Sequence, residues 1–104
     1  MNNEIFAIAV VMPEAGHEDE VLSVLRDLYA VMTQKGYSRN ILYRSGKDAT
    51  LVNLRYWSSA EARTRAQEDP DVHRCWSRLG QVAKVEQVFP ELDEVPIQAV
   101  PETR

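Results

Sequence analysis

At 104 residues, with twelve basic against sixteen acidic side chains and a formal charge of −4, the chain reads as one small domain with interspersed charges. It carries no basic block and no aromatic-interleaved basic stripe, which argues against nucleic acid as a partner. The single cysteine, Cys75, excludes an intrachain disulfide, the start lacks a basic signal-like region, and residues 5–12 are too short an apolar run to span a membrane, so a cytoplasmic protein is expected.

Residues 5–12 are apolar and rich in β-branched side chains, and they read as a strand ended by Pro13. They do not alternate with polar residues, so both faces of this strand are expected to be buried. Pro13-Glu-Ala-Gly16 is a turn, and Glu18, Asp19 and Glu20 suit a helix N-terminus through the macrodipole. Val21, Leu25, Leu28 and Met32 then recur at helical spacing, reinforced by Leu22 and Tyr29, until Lys35-Gly36 closes the helix.

Residues 39–45 read as a second strand, and Gly46-Lys-Asp48 supplies the turn to a hairpin partner over residues 50–57. Ser58 with Glu61 has capping-box spacing and starts a short helix through Gln67. Asp69-Pro70 fits a cap followed by proline in the first turn of another helix. Val72, Cys75, Trp76 and Leu79 make its apolar face, and Gly80 is expected to end it. Residues 82–89 read as a fourth strand stopped by Pro90, leaving residues 91–104 as an extended arm whose apolar part is residues 95–100.

The third strand carries the most informative pattern. Side chains alternate across a strand, so Asn53, Arg55 and Trp57 share one face while Val52, Leu54 and Tyr56 share the other. The second set is expected to be ordinary core. The first, an amide, a cation and an indole, faces solvent, a partner or a pocket. Arg55 could equally pair with a carboxylate on a neighbouring strand. Trp57 and Trp76 are large apolar residues that suit a core as well as a pocket. His73, beside Arg74, reads as a solvent-facing helix residue or as a base. No Cys-x-x-Cys or paired-histidine spacing supports a metal site.

The order β-α-β-β-α-β describes an α+β, ferredoxin-like antiparallel sheet with helices on one face, its second helical region broken in two. With a first strand apolar on both faces, the second sheet face needs cover. A second subunit is the simplest source, which predicts a homodimer with its sheets packed face to face. The domain is expected over residues 1–90 and the arm over 91–104.

With this order in place, residues 5–90 resemble the antibiotic biosynthesis monooxygenase family of the dimeric α+β barrel superfamily. The resemblance rests on the Pro13-x-x-Gly16 turn before an acidic helix start and on the Gly36-Tyr37 helix stop. It also rests on Ile41-Leu-Tyr-Arg44, on a strand ending in Trp57-Ser-Ser before Glu61, and on Asp69-Pro70 opening the last helix. It implies a dimeric α+β barrel and a small monooxygenase that oxidises an aromatic or quinol-type molecule with O₂, using no metal or flavin. In quinone-forming members an asparagine four residues before a tryptophan ends the same strand, and Asn53 and Trp57 match that spacing. An arginine on the last helix completes the set, and Arg78 lies one residue from the matching position. A tyrosine six residues beyond the tryptophan is also expected, but Arg63 stands there.

The resemblance therefore implies Asn53, Trp57, Arg78 and His73 as catalytic candidates, with Arg55, Tyr43 and Trp76 as substrate-binding candidates. Two alternatives follow from the same superfamily. One is a non-catalytic, ligand-binding or stress-associated barrel, suggested by Arg63. The other is the haem-degrading branch, whose asparagine, tryptophan and histidine positions are Ala9, Ala66 and Trp76 here.

Overall fold

In the computed structural model, which describes residues 3–97, the elements run β1 (Ile5–Pro13), α1 (Glu18–Gln34), β2 (Ser38–Arg44), β3 (Leu51–Trp57), α2 (Ala60–Glu68), α3 (Pro70–Val82) and β4 (Ala83–Leu92). The strands make one antiparallel sheet in the order β2-β3-β1-β4, the ferredoxin-like α+β arrangement read from the sequence. No helix among the described residues is long and apolar enough to cross a membrane. Half of the expected arm, from residue 98 onward, lies outside the described residues.

Local chemistry explains most element ends. Gly36 takes φ 71°, and the N–H groups of Gly36 and Tyr37 donate to the carbonyls of Thr33 and Met32 at 3.1 and 2.9 Å. This is the Schellman stop that a helix-terminal glycine allows. Asp69 caps α3 through the Asp71 amide at 2.8 Å, with Pro70 in the first turn. The Asp69 carboxylate also accepts from Lys35 Nζ at 2.7 Å and the Tyr37 hydroxyl at 2.6 Å. It thereby ties the end of α1 to the start of α3. The hydrogen bonds from Lys35 and Tyr37 hold its pKa well below the usual carboxylate range.

Three boundaries differ from the sequence reading. The cap of α2 is Ser59, whose hydroxyl accepts from the Ala62 amide, because the Ser58 hydroxyl donates to the Gly36 carbonyl at 2.7 Å. Helix α3 passes through Gly80 to Val82, since Gly80 has no positive φ and nothing forces a stop. Strand β4 passes Pro90, which sits on the edge strand where the β1–β4 register shifts, so its missing N–H breaks no ladder bond.

The register decides which sheet face meets the helices. Leu51, Asn53, Arg55 and Trp57 pair with Val11, Ala9, Ala7 and Ile5, and this layer faces α1, α2 and α3. The expectation that Val52, Leu54 and Tyr56 form ordinary core is overturned. They lie on the open face with Phe6, Ile8 and Val10, only partly buried. In β1 the helices bury Ala7 and Val11, while no described residue covers the other face, the one for which a second subunit is expected. Ile41, Tyr43 and Phe89 extend that bare apolar face, with Tyr43 57 % and Phe89 47 % exposed.

Candidate functional site

Small residues on the central strand make room beneath the helices. Opposite Asn53 and Arg55, β1 carries Ala9 and Ala7, and a cavity of about 520 Å³ opens between this part of the sheet and α3. Its floor is Ala9, Arg55 and Trp57, its roof Trp76, Leu79 and Gly80, and its edges Gln67, Ala83, Val85 and Gln87. Gly80 faces open space here: a Cβ at this position would meet no atom within 4 Å.

Arg55 is partly buried, and its Nε donates to Asn40 Oδ1 at 2.8 Å. Asn40 in turn donates to Ser38 Oγ at 3.1 Å. The guanidinium carbon of Arg55 lies 5.2 Å from the centre of the Trp57 ring. Burial pulls the pKa of Arg55 down to about 10, which still leaves it charged at neutral pH. Trp57 is 2 % exposed, and its buried Nε1–H has no hydrogen-bond partner among the described residues. Such a donor costs about 1–3 kcal/mol unless something accepts from it.

Asn53 is 3 % exposed and stands outside the cavity wall, where its Oδ1 accepts from the Tyr29 hydroxyl of α1. Burial pushes the pKa of Tyr29 up to about 12, so it stays protonated near neutrality and can donate to Asn53.

The remaining candidates divide. Trp76 is in the cavity roof. His73 lies on the exposed helix surface next to it, with ring centres 5.7 Å apart, and its Nε2–H donates to the Gln67 carbonyl. Arg78 is turned away from the cavity and donates to Asp27 of α1 at 3.0 Å. At about 100° per residue, Trp76 and Leu79 share a helix face that Arg78 lacks. Tyr43 is a correction: its β2 position puts it on the open sheet face, across the sheet from the cavity. Sequence reasoning missed Tyr29, Asn40, Gln67 and Gln87. Only the alanine pair in β1 hinted that space would exist here.

A family model described as antibiotic biosynthesis monooxygenase matches residues 4–78. The chain belongs to the antibiotic biosynthesis monooxygenase family. SnoaB, a cofactor-independent oxygenase from Streptomyces nogalater, superposes with a TM-score of 0.76 at 20% identity, covering 96% of this chain and 99% of that one. A conserved protein of unknown function from Bacteroides thetaiotaomicron gives 0.77 at 12% identity over 88% and 100% of the two chains. A Mycobacterium tuberculosis protein gives 0.71 at 19% identity over 89% and 99%. At these identities the likeness establishes the fold. No curated protein matches the chain.

Against the antibiotic biosynthesis monooxygenase pattern, the arginines at or beside two of the expected positions are engaged elsewhere. Arg78 pairs with Asp27, and Arg63, standing where a tyrosine is expected, pairs with Glu91 at 3.1 Å and so links α2 to β4. The cation in the cavity wall comes from β3 instead, as Arg55. No group of three or more His, Cys, Asp or Glu that could hold a metal ion occurs among the described residues. The residues present also do not fit haem: Trp76 offers no imidazole, Ala9 no amide, and His73 Nε2 is engaged with Gln67.

Proposed function

We propose that the protein is a small cofactor-independent monooxygenase that oxidises an aromatic or quinol-type substrate with O₂. The observation that carries this reading is a largely apolar cavity whose wall combines the Arg55 guanidinium with Trp57, whose buried indole N–H has no partner among the described residues. A deprotonated phenol is electron-rich enough to react with O₂ directly. The protein then has to bind it, orient it and stabilise the negative charge that develops on oxygen. Trp57 and Trp76 flank the ring, Trp57 Nε1–H donates to a substrate or peroxy oxygen, and Arg55 supplies positive charge. Asn53, pinned by Tyr29, holds the adjoining part of the floor. For an anthrone-type substrate, one oxygen atom becomes the new ring carbonyl. The other leaves as water with the two hydrogens of the oxidised carbon.

The working unit in this reading is a homodimer, a second copy covering the open face of Ile8, Val10, Ile41, Leu54 and Phe89. The support is the size of that apolar face, which a soluble monomer rarely leaves bare. The domain is taken to run through the end of β4 at Leu92, two residues past the expected boundary at 90.

Oxygen-electrode assays with hydroquinones and anthrones, in the presence of a chelator, test the reaction. One O₂ consumed per product, with turnover reduced in Trp57→Phe, is the expected result. Binding without oxygen uptake favours the second reading, a non-catalytic aromatic-binding barrel. The pairs Arg63–Glu91 and Arg78–Asp27 favour it, since each holds outside the cavity a side chain at or beside a position where the family pattern has an active-site residue. A binder would be thermally stabilised by ligands that it leaves unchanged.

A further inference from the structure

The polar groups in the cavity wall are unbalanced in charge. Arg55 uses Nε on the neutral Asn40 amide, and no carboxylate lies within ion-pair range of its guanidinium among the described residues. A guanidinium has five N–H donors and accepts nothing, so the bond to Asn40 leaves most of its capacity unused. Beside it, the Trp57 indole offers a second buried donor that nothing in the described chain accepts. The other polar wall residues, Gln67 and Gln87, are uncharged amides at the edge, and the rest of the wall is apolar or aromatic. A buried cation without a counter-charge is costly, and the wall supplies none.

We infer that the cavity is a receptor for a preformed aromatic oxyanion, a phenolate or enolate, with Arg55 as its counter-cation and Trp57 Nε1–H as its second donor. This rests on the cavity being the substrate site, but not on turnover there. Ligands are then selected by ionisation as well as by shape. The described wall residues include no carboxylate and no imidazole to take a proton, and His73 lies outside with its Nε2–H committed to the Gln67 carbonyl. The phenolic proton therefore goes to solvent as the anion binds, and affinity rises with pH until the free ligand is itself ionised. Arg55 sets which protonation state is held. It does so from β3, a position independent of the last-helix arginine that the family resemblance implies.

The experiment uses 4-nitro-1-naphthol, whose anion is coloured, titrated with the full-length protein under argon so that no oxidation occurs. The bound naphthol should lose its proton at a pH lower by about one or more than the free molecule, a tenfold or greater preference for the anion. Its methyl ether, which cannot ionise, should bind about tenfold or more weakly. Arg55→Gln, checked for folding by circular dichroism, should abolish the shift, and Arg55→Lys should keep part of it. An unshifted or raised pKa for the bound naphthol overturns the inference, as does equal affinity for the ether or no saturable binding. These measurements on the unmutated protein decide the matter even where Arg55→Gln does not fold. Oxygen uptake accompanied by an unshifted ligand sinks this inference alone, while a shifted ligand without oxygen uptake sinks only the monooxygenase reading.

Discussion

The Arg55 guanidinium lies over the face of the Trp57 indole, 5.2 Å from the ring centre, two residues away along one face of β3. The period-two alternation of a strand sets them side by side, and the helices above exclude most water from both. A cation held against an aromatic face is attracted by the ring quadrupole, by about 0.5–2 kcal/mol depending on desolvation. The pair therefore pre-positions both donors without using their hydrogen-bonding capacity.

Replacing Trp57 with Phe removes the unpartnered N–H and little volume. Stability should change by less than about 1 kcal/mol, because the lost packing is offset by removing a buried orphan donor. Ligand affinity or kcat/KM should fall roughly tenfold or more, the worth of a hydrogen bond to a charged acceptor. Chemical denaturation beside binding or oxygen-uptake assays checks this, and a large stability loss with unchanged binding would assign Trp57 to the core alone.

Tyr29→Phe leaves Asn53 Oδ1 buried and unsatisfied. The expected cost is about 1–3 kcal/mol in urea unfolding. Asn53→Leu in the Tyr29→Phe background should recover part of it, since both polar partners are then gone.

Asp69 makes the fold acid-sensitive. Its folded pKa is depressed, so its contribution is complete above the unfolded value of about 4 and is lost as pH falls toward the folded one. Asp69→Asn should lower Tm at pH 7, and the gap to the unmutated protein should narrow steadily below about pH 4. A gap that stays constant across a pH series would show that the carboxylate charge is irrelevant.

Gly80 separates helix stability from cavity space. Its φ is not positive and a Cβ would meet nothing, so Gly80→Ala should stabilise α3 by about 0.5–1 kcal/mol. Gly80→Leu should fill the cavity, keeping the fold while weakening aromatic ligands severalfold or more. Thermal melts with and without ligand read both effects.

Ile41 belongs to the open face that a second copy is expected to cover. Light scattering at micromolar concentration should give twice the chain mass, and Ile41→Glu should give a folded monomer by burying a charge at the interface. A well-folded monomer before mutation would remove the dimer.

Within the chain, the type and order of the elements were legible because they rest on neighbours a few residues apart. Acidic residues open α1 and a glycine in the left-handed region closes it, Asp69-Pro70 opens α3, and alternation puts Asn53, Arg55 and Trp57 on one side of β3. Where distant groups compete for the same atoms, the local reading failed. Ser58 gives its hydroxyl to Gly36, twenty-two residues away, so the cap passes to Ser59. Alternation alone also says nothing about which side of β3 the helices take. The β1–β3 register and the packing of α1 and α3 decided that, sending the polar triplet inward and the apolar triplet to the open face. The same packing turned Arg78 toward Asp27, fifty-one residues earlier, and left Arg55 as the cation of the cavity. Hydrogen-bonded caps and side-chain periods are short-range and written in the sequence. Where a guanidinium ends up depends on contacts between residues far apart in the chain, and those exist only once the elements have packed.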